Sequence, residues 1–178
     1  MDPDALASPP AAGALRLERL DDRHRAALRA ACAEDAEIWA IYPVSYDPDH
    51  FDAQFDALLA TPGRIMFAVV DDARLAGMTG YLAPDRARAT VEIGSTYLAP
   101  RARGGGLNTR LKRLMIGHAF ACGARRIEFR IDDRNVRSKA AVAKLGAVRE
   151  GLLRQDRITW TGHVRDTALF SILAEDWR

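Results

Sequence analysis

Hydrophobic and polar positions along the chain change period several times, and each period predicts an element of secondary structure. Leu15, Leu17 and Leu20 recur in the stretch ALRLERL, which favours a first strand. The following DDRHRAALRAACAED begins with acidic residues and predicts a helix. A second helix is predicted for DHFDAQFDALLATPG, whose apolar residues keep helical spacing up to Pro62 and Gly63. The amino-terminal part therefore predicts a strand followed by two helices.

Three short apolar runs follow the second helix, and the connections between them are short enough for hairpins. They predict an antiparallel meander of strands near residues 64–71, 74–83 and 90–98. From Leu107, apolar residues again recur at helical spacing until Gly123, a residue type that commonly ends helices. A glycine-rich loop therefore joins the third strand of the meander directly to a helix.

The last third of the chain predicts a strand, a helix and a closing hairpin. In RRIEFRID the predicted inward side chains are Ile127, Phe129 and Ile131, and the outward ones are Glu128, Arg130 and Asp132. Asn135 is placed to cap a helix that Gly146 would end, and AVREGLLRQDRIT and RDTALFSILAEDW would form the hairpin. The order β-α-α-β-β-β-α-β-α-β-β predicts an α/β (mixed α+β) fold, with helices on the faces of a mixed sheet.

The length of 178 residues, 48% of them hydrophobic, fits one domain with a substantial core. We expect a single domain over residues 14–178 and a disordered tail over the Ala- and Pro-rich residues 1–13. The chain shows neither the features of a signal peptide nor an apolar run approaching the roughly 18 residues of a membrane span, which predicts a cytoplasmic protein without a membrane partner.

Charge and cysteine content narrow the classes of function. Arginine supplies 23 of the 26 basic residues, but 24 acidic residues leave a formal charge of only +2, which gives no support for a general nucleic-acid binder. Cys32 and Cys122 are isolated and have no metal-ligand spacing to histidine, so we predict neither a metal site nor a redox site.

The loop in LAPRARGGGLNTRLKRLM carries the most specific chemistry of the chain. A helix amino terminus exposes unpaired N–H groups, and glycines at positions 104–106 let the backbone turn those groups toward an anion such as a diphosphate. Arg101 and Arg103 would add charge at the rim. The loop has neither the Walker spacing nor the G-x-G-x-x-G spacing of dinucleotide sites. A mobile link and a nucleic-acid patch are the alternatives that the loop alone leaves open.

The surroundings of the loop are similar to one family. Arg101-x-x-Gly104-x-Gly106, preceded by YLAP, resembles the acetyl-coenzyme A pyrophosphate motif of the GNAT (GCN5-related) N-acetyltransferase superfamily. DDRNVRSKAAVAKLGAVREGLLR resembles the second part of the cofactor site, with Asn135 and Ser138 in their usual order. The closing VRDTALFSILAEDW is similar to the subgroup of ribosomal-protein N-terminal alanine acetyltransferases.

The resemblance covers roughly residues 14–178 and implies a GNAT fold with a partly splayed sheet. It implies acetyl-CoA as the acyl donor and a primary amine as the acceptor, either a protein or peptide N-terminus or a small molecule, attacking directly in a ternary complex. The residues that it implies for the cofactor are Tyr97, Leu98, Arg101, Arg103, Gly104, Gly105, Gly106, Leu107, Asn108, Asn135 and Ser138. Asn135 could equally serve only as a helix cap.

For catalysis the resemblance implies Glu92 as a general base, the Leu98 N–H as a donor to the thioester oxyanion, and the Ser138 hydroxyl near the sulfur. Two departures weaken this scheme. Phe170 stands where related sequences commonly have a tyrosine acid, and no second carboxylate is clearly placed, although Glu150 and Asp156 are candidates.

Aromatic residues in EIWAIYPVSYDPDHF are the candidates for the acceptor pocket, namely Trp39, Tyr42 and Tyr46. We expect most of the aromatic residues of this stretch to pack the helices onto the sheet, and one or two to line the pocket. The competing function is a non-catalytic acetyl-CoA sensor or partner-binding module. A homodimer is a further expectation, because the closing hairpin could leave an unpaired edge.

Overall fold

A computed structural model of the chain describes residues 1 to 177, and it contains the predicted elements in the predicted order. The helices are α1 (Pro3–Leu6), α2 (Arg25–Ala33), α3 (Phe51–Ala60), α4 (Leu107–Ala121) and α5 (Val136–Ala143). The strands are β1 (Ala11–Ala12), β2 (Leu15–Arg19), β3 (Arg64–Asp71), β4 (Arg74–Asp85), β5 (Thr90–Leu98), β6 (Arg126–Asp132), β7 (Val148–Ile158) and β8 (Val164–Leu173).

All eight strands belong to one sheet, in the order β1-β2-β3-β4-β5-β6-β8-β7. Neighbouring strands from β1 to β5 are antiparallel, as are β6 with β8 and β8 with β7. Between them, β5 and β6 pair in parallel. The predicted mixed sheet and meander are therefore confirmed, and the parallel pair is the joint between two antiparallel halves.

Helices pack on both faces of the sheet, because successive residues along each strand point to opposite faces. On one face, Val91 and Ile93 of β5 share a core with Leu111 and Met115 of α4. On the other face, a second core gathers the apolar side chains of α2 and α3 against Tyr97. The glycine loop thus leads from a strand that is covered on both faces to a helix on one of them.

The two halves of the sheet part soon after they meet. β5 pairs with β6 only from Thr90 to Glu92. Immediately afterwards, the register of β5 with β4 shifts around Ser95, whose φ is +48°. A bulge of this kind bends the strand that carries it. The bulge and the short parallel pairing leave the predicted splay in the sheet.

The amino-terminal segment differs from the predicted disordered tail. Leu6 in α1 is fully buried in the core beside α4, and the Asp2 N–H donates to the Cys122 carbonyl oxygen at 2.8 Å. The Asp2 side chain also caps α1. A composition rich in alanine and proline hides this contact, because Leu6 is the one fully buried side chain of the segment. The predicted tail is wrong for these residues.

One further difference lies in β6, where Asp132 was expected to face outward. Asp132 is 4% exposed, since Arg134 covers it with two hydrogen bonds at 2.9 and 2.8 Å. A carboxylate can be buried when it is paired in this way.

Leu6→Ala tests the attachment of the amino terminus. Because the leucine is fully buried, we expect the free energy of unfolding in urea to fall by about 2–5 kcal/mol. The exposed Ser8 nearby provides the control, since Ser8→Ala should change stability by less than about 0.5 kcal/mol. Equal stability of both variants would mean that the segment does not dock.

Candidate active site

A cavity of about 860 Å³ opens where β5 and β6 part. Its wall is built from β5, the glycine loop, one side of α4, the start of α5 and the loop that follows α2, with further residues from α3, β4, the end of β6 and the closing hairpin. Members of this wall include Tyr42, Tyr46, Glu92, Thr96, Leu98, Arg103, Gly104, Gly106, Asn108, Lys112, Arg130, Asn135 and Ser138. One space therefore joins the glycine loop to the point where the sheet divides.

The glycine loop forms an open cradle at one end of this cavity. Gly104 and Gly106 have φ of +83° and +80°, a left-handed conformation that glycine adopts without strain. No heavy atom lies within 4 Å of a Cβ built at either position. Gly106 precedes the 15-residue helix α4 and gives it no side-chain cap. The first N–H groups of α4 are thus left for an anion, which the helix dipole also favours.

Leu107, Asn108 and Gly105 differ in how they face the cavity. The Leu107 side chain is packed in the core, so its N–H is the group that remains for a ligand. Asn108 lines the cavity, whereas Gly105 is outside the lining set.

The two arginines of the loop have different positions. Arg103 lines the cavity, and its Nε donates to the Leu98 carbonyl oxygen at 2.7 Å. Its Nη1 pairs with Asp35, while its buried Nη2 has no hydrogen-bond partner within residues 1–177. A buried donor without an acceptor is costly, so the guanidinium is held in the cavity wall at the expense of one hydrogen bond.

Arg101 points elsewhere, contrary to its predicted place at the rim. Its guanidinium donates to the Leu75 carbonyl oxygen at 2.9 Å and pairs with the Glu34 carboxylate. The short turn over Pro100–Ala102 directs it there. We conclude that Arg101 stabilises the loop rather than facing the cavity.

The start of α5 forms the opposite wall of the cavity. The Asn135 Oδ1 accepts from the Ser138 N–H at 2.9 Å, so Asn135 does cap the helix as one interpretation predicted. Both side chains also line the cavity. Capping uses only the amide oxygen, which leaves the amide NH2 group (Nδ2) of Asn135 to donate to a ligand.

Glu92 is the carboxylate at the dividing point of the sheet. Its Oε2 lies 3.8 Å from Arg130 Nε, which is too far for a hydrogen bond. Burial raises the pKa of Glu92, and the charge of Arg130 opposes that rise only in part. A carboxylate whose pKa is moved toward neutral is a better proton acceptor for an amine than an ordinary one.

The β5 bulge is held by side chains from three elements. The Thr96 carbonyl oxygen accepts from the Tyr42 hydroxyl at 2.7 Å. Thr96 Oγ1 lies 2.8 Å from Thr79 Oγ1 and accepts from Lys112 Nζ at 2.6 Å. Burial raises the pKa of Tyr42 to about 12, so Tyr42 stays a protonated donor. The bulge is thus a fixed feature of the cavity wall.

The three predicted acceptor residues divide between core and cavity. Tyr42 and Tyr46 line the cavity. Trp39 does not, because it is fully buried, stacks on Tyr97 at 4.8 Å and donates to the Cys32 carbonyl oxygen. The Tyr97 side chain points into the same core. Tyr97 is not among the residues that line the cavity, although its neighbours Thr96 and Leu98 are.

Lys112 is a cavity residue that the sequence did not predict, and its charge is unusual for a position inside the protein. It is 6% exposed, and burial lowers its pKa to about 7 against a partial upward effect of Glu92. Its position gave a usable signal, because Met115 and Ile116 follow at i+3 and i+4 and both are buried.

The other candidates for acid or base chemistry are occupied elsewhere. Glu150 accepts two hydrogen bonds from Arg126 at 2.6 and 2.5 Å, and these hold its pKa down to about 2. Asp156 accepts from Thr167 and pairs with Arg157. Phe170 lies in the core. The carboxylates of Glu150 and Asp156 are therefore both engaged in structural contacts.

Residues 14–148 match the family model described as "Acetyltransferase (GNAT) domain". The chain belongs to the GNAT acetyltransferases. A probable GNAT acetyltransferase from Chromobacterium violaceum is 32% identical with a TM-score of 0.89, over 96% of this chain and 88% of that one. The GNAT fold, with its open mixed sheet, is therefore confirmed, and the protein is an acetyltransferase of this superfamily.

Two acetyltransferase structures of lower identity share the fold. Mycobacterium smegmatis RimJ in complex with CoA-disulfide is 23% identical, with a TM-score of 0.80 over 95% of this chain and 87% of that one. The ribosomal-protein-S5-alanine acetyltransferase from Vibrio fischeri is 20% identical, with a TM-score of 0.74 over 96% and 99% of the two chains.

Within residues 1–177 the structure has neither a candidate membrane span nor a candidate metal site. No helix there is long and apolar enough to cross a membrane. No group of three or more His, Cys, Asp or Glu side chains is placed there to hold a metal ion.

Lys112→Met tests the burial of the charge. The folded pKa of about 7 lies below the ordinary value of 10.5, so between these values the unfolded chain binds more protons than the folded one. The folded wild type is therefore penalised most below about pH 7, and the penalty fades as the pH rises toward 10.5. We expect Lys112→Met to be more stable than wild type at pH 6 in urea unfolding, with the difference shrinking by pH 10.

The exposed Lys144 provides the matched control, because Lys144→Met removes the same side-chain type from solvent. Its stability should follow wild type across the pH range. A Lys112→Met protein that is less stable than wild type by the same amount at every pH would contradict the buried ammonium.

Proposed function

We propose that this GNAT protein transfers the acetyl group of acetyl-CoA to a primary amine by direct attack in a ternary complex. The observation that carries this proposal is the single cavity that runs from the anion cradle at the start of α4 to Glu92 at the dividing point of the sheet. An activated acyl donor bound at one end and a base at the other are what amine acetylation requires.

The cavity has the groups that the acyl donor needs, and that donor would supply the reactive thioester. N–H groups of Gly104 to Leu107 and the positive charge of Arg103, which lines the cavity, suit the pyrophosphate. In the part of the chain that the structure describes, the edge of β5 that faces β6 has no partner strand beyond Glu92. The backbone of Tyr97 and Leu98 can there bond the amides of the pantetheine arm in the manner of an added strand.

Glu92, Leu98 and Ser138 divide the remaining tasks in this proposal. Glu92 takes the proton that the amine loses as it becomes an amide, since only a neutral amine attacks. The Leu98 N–H donates to the developing oxyanion. Ser138, one turn into α5, offers a hydroxyl near the sulfur.

The lining of the cavity favours some acceptors over others. Its charged members are seven basic and two acidic residues, namely Arg64, Arg103, Lys112, Arg130, Arg137, Arg157, Arg165, Glu92 and Asp132. Even after the phosphates take some of this charge, a polycationic acceptor would meet repulsion. Peptide N-termini and amines with a neutral or acidic neighbourhood therefore fit better than polyamines. Similarity to the ribosomal-protein-S5-alanine acetyltransferase from Vibrio fischeri supports a peptide N-terminus as the acceptor.

A panel of amines tests the activity. We expect release of free CoA thiol with at least one of the peptides that start with Ser or Ala or of the small monoamines, and little release with spermidine or aminoglycosides. Thermal stabilisation by acetyl-CoA without turnover on any amine would instead favour the non-catalytic sensor.

Gly104→Asp tests the cradle. The aspartate places a negative charge where the phosphates would lie, so CoA affinity in calorimetry should fall by about 100-fold or more, and the fold should remain. Gly104→Asn is the matched control, because asparagine has nearly the same shape, tolerates the left-handed conformation and carries no charge. The two variants should then differ clearly in CoA affinity. Equal CoA affinities of the two variants would mean that the phosphates do not bind at this loop.

A further inference from the structure

Lys112 is a buried cation in the wall of the cleft, and the acetyl transfer outlined above does not use it. It is 6% exposed and lines the cavity. Within residues 1–177 the structure gives its ammonium one hydrogen bond, donated to Thr96 Oγ1 at 2.6 Å. Burying a cation without a carboxylate in contact costs stability. Such a group in a cleft is a candidate for function.

The surroundings of Lys112 come from three strands and its own helix. β4 contributes Thr79, behind the Thr96 hydroxyl. β6 contributes the Phe129 ring, whose centroid is 5.9 Å from Nζ. β5 contributes Glu92, the charged group whose field acts on Lys112. Asn108 and Ile116, one turn before and after on α4, are uncharged. The ammonium therefore lies in the gap of the sheet, with Glu92 as its electrostatic partner.

Other donors in the cavity lining cannot release a proton near neutral pH. The Tyr42 hydroxyl is already donated to the Thr96 carbonyl oxygen, and burial raises the pKa values of Tyr42 and Tyr46 to about 12. Arginine side chains stay protonated throughout this range. Phe170 has no hydroxyl to offer. Among the described basic residues of the lining, Lys112 is the one whose proton can leave under these conditions.

We propose, on the basis of the acetyl transfer proposed above, that Lys112 is the proton donor to the departing sulfur. As the amine nitrogen bonds to the acetyl carbon, the carbon–sulfur bond breaks and its electron pair goes to sulfur. Lys112 Nζ gives its proton to that sulfur, while Glu92 takes the proton that the nitrogen loses. Transfer of this proton from the Glu92 carboxylic acid to neutral Lys112 restores both groups. The sum is amine plus thioester giving amide plus free thiol.

The first test needs no turnover. The chain has three lysines, Lys112, Lys139 and Lys144, so ¹³C-lysine labelling gives few NMR signals, and Lys112→Met identifies the one in question. We expect the Lys112 titration midpoint to be higher with a saturating CoA analogue whose thiol is oxidised to a sulfonate than with desulfo-CoA by about one pH unit, because a permanent anion at the sulfur position favours the ammonium. Equal midpoints with both compounds would overturn the proposal.

The second test is kinetic and uses an accepted amine. Lys112→Met should lower kcat about 100-fold below pH 7, near the lower end for a general acid, with the KM for acetyl-CoA nearly unchanged. The ratio of wild-type to variant kcat should fall as the pH rises through about 7, since the wild type then loses its ammonium. Lys112→Arg keeps the charge but cannot give up its proton, and it should be as slow as Lys112→Met. Lys144→Met should match wild type.

The outcomes separate this proposal from the one that it rests on. No turnover by the wild type on any amine would contradict the transferase activity, and the NMR comparison would still decide whether Lys112 faces the sulfur. Turnover by the wild type together with an unaltered kcat and pH profile in Lys112→Met would overturn the role of Lys112 alone. Full activity of Lys112→Arg would overturn proton donation by this residue.

Discussion

The separation of β5 from β6 is the constraint on which the site depends. Parallel pairing lasts from Thr90 to Glu92 and then stops. A continuous sheet would satisfy the backbone groups of β5 and leave no space between the strands, whereas the bulge at Ser95 bends β5 away from β6. The helices then cover the two faces of a gap instead of a closed surface. The cavity lies in this gap and reaches Glu92, where the two strands divide.

This arrangement places groups in the cleft that stability alone would not select. The cavity is lined by Lys112, Arg103 and Glu92. Lys112 is buried, Arg103 has a guanidinium nitrogen without a hydrogen-bond partner among the described residues, and Glu92 has a raised pKa. Each would be more stable in water or with a full set of hydrogen bonds. Their common location indicates that the fold tolerates the cost for binding and chemistry, as active sites commonly do. The two cores, which are apolar and well packed, supply the compensating stability.

The sequence predicted the order of the elements because each strand and helix has a clear hydrophobic period. The bounds of β3 and β5 agree with the prediction, and Asn135 caps α5 as expected. The amino-terminal segment was missed because Leu6 stands alone among alanines and prolines. Hydrophobic periodicity cannot show that a single leucine is buried beside a helix, α4, that lies far along the chain.

The site was less predictable, because tertiary contacts decide where charged side chains point. Arg101 and Arg103 are two residues apart in one loop, yet one pairs with Glu34 outside the cavity and the other lines it. Trp39 is buried in the core, while Tyr42, three residues later, reaches the bulge. Lys112 could have been placed from the buried stripe of α4, and only its charge concealed it.

A crystal structure of the protein with bound CoA would show whether the cradle and the gap in the sheet form one cofactor site. We expect the pyrophosphate against the N–H groups of residues 104–107, and the pantetheine arm along the edge of β5 with its sulfur in the gap beside β6. A CoA molecule bound elsewhere, or an arm that stays outside the gap while β5 and β6 remain apart, would contradict it.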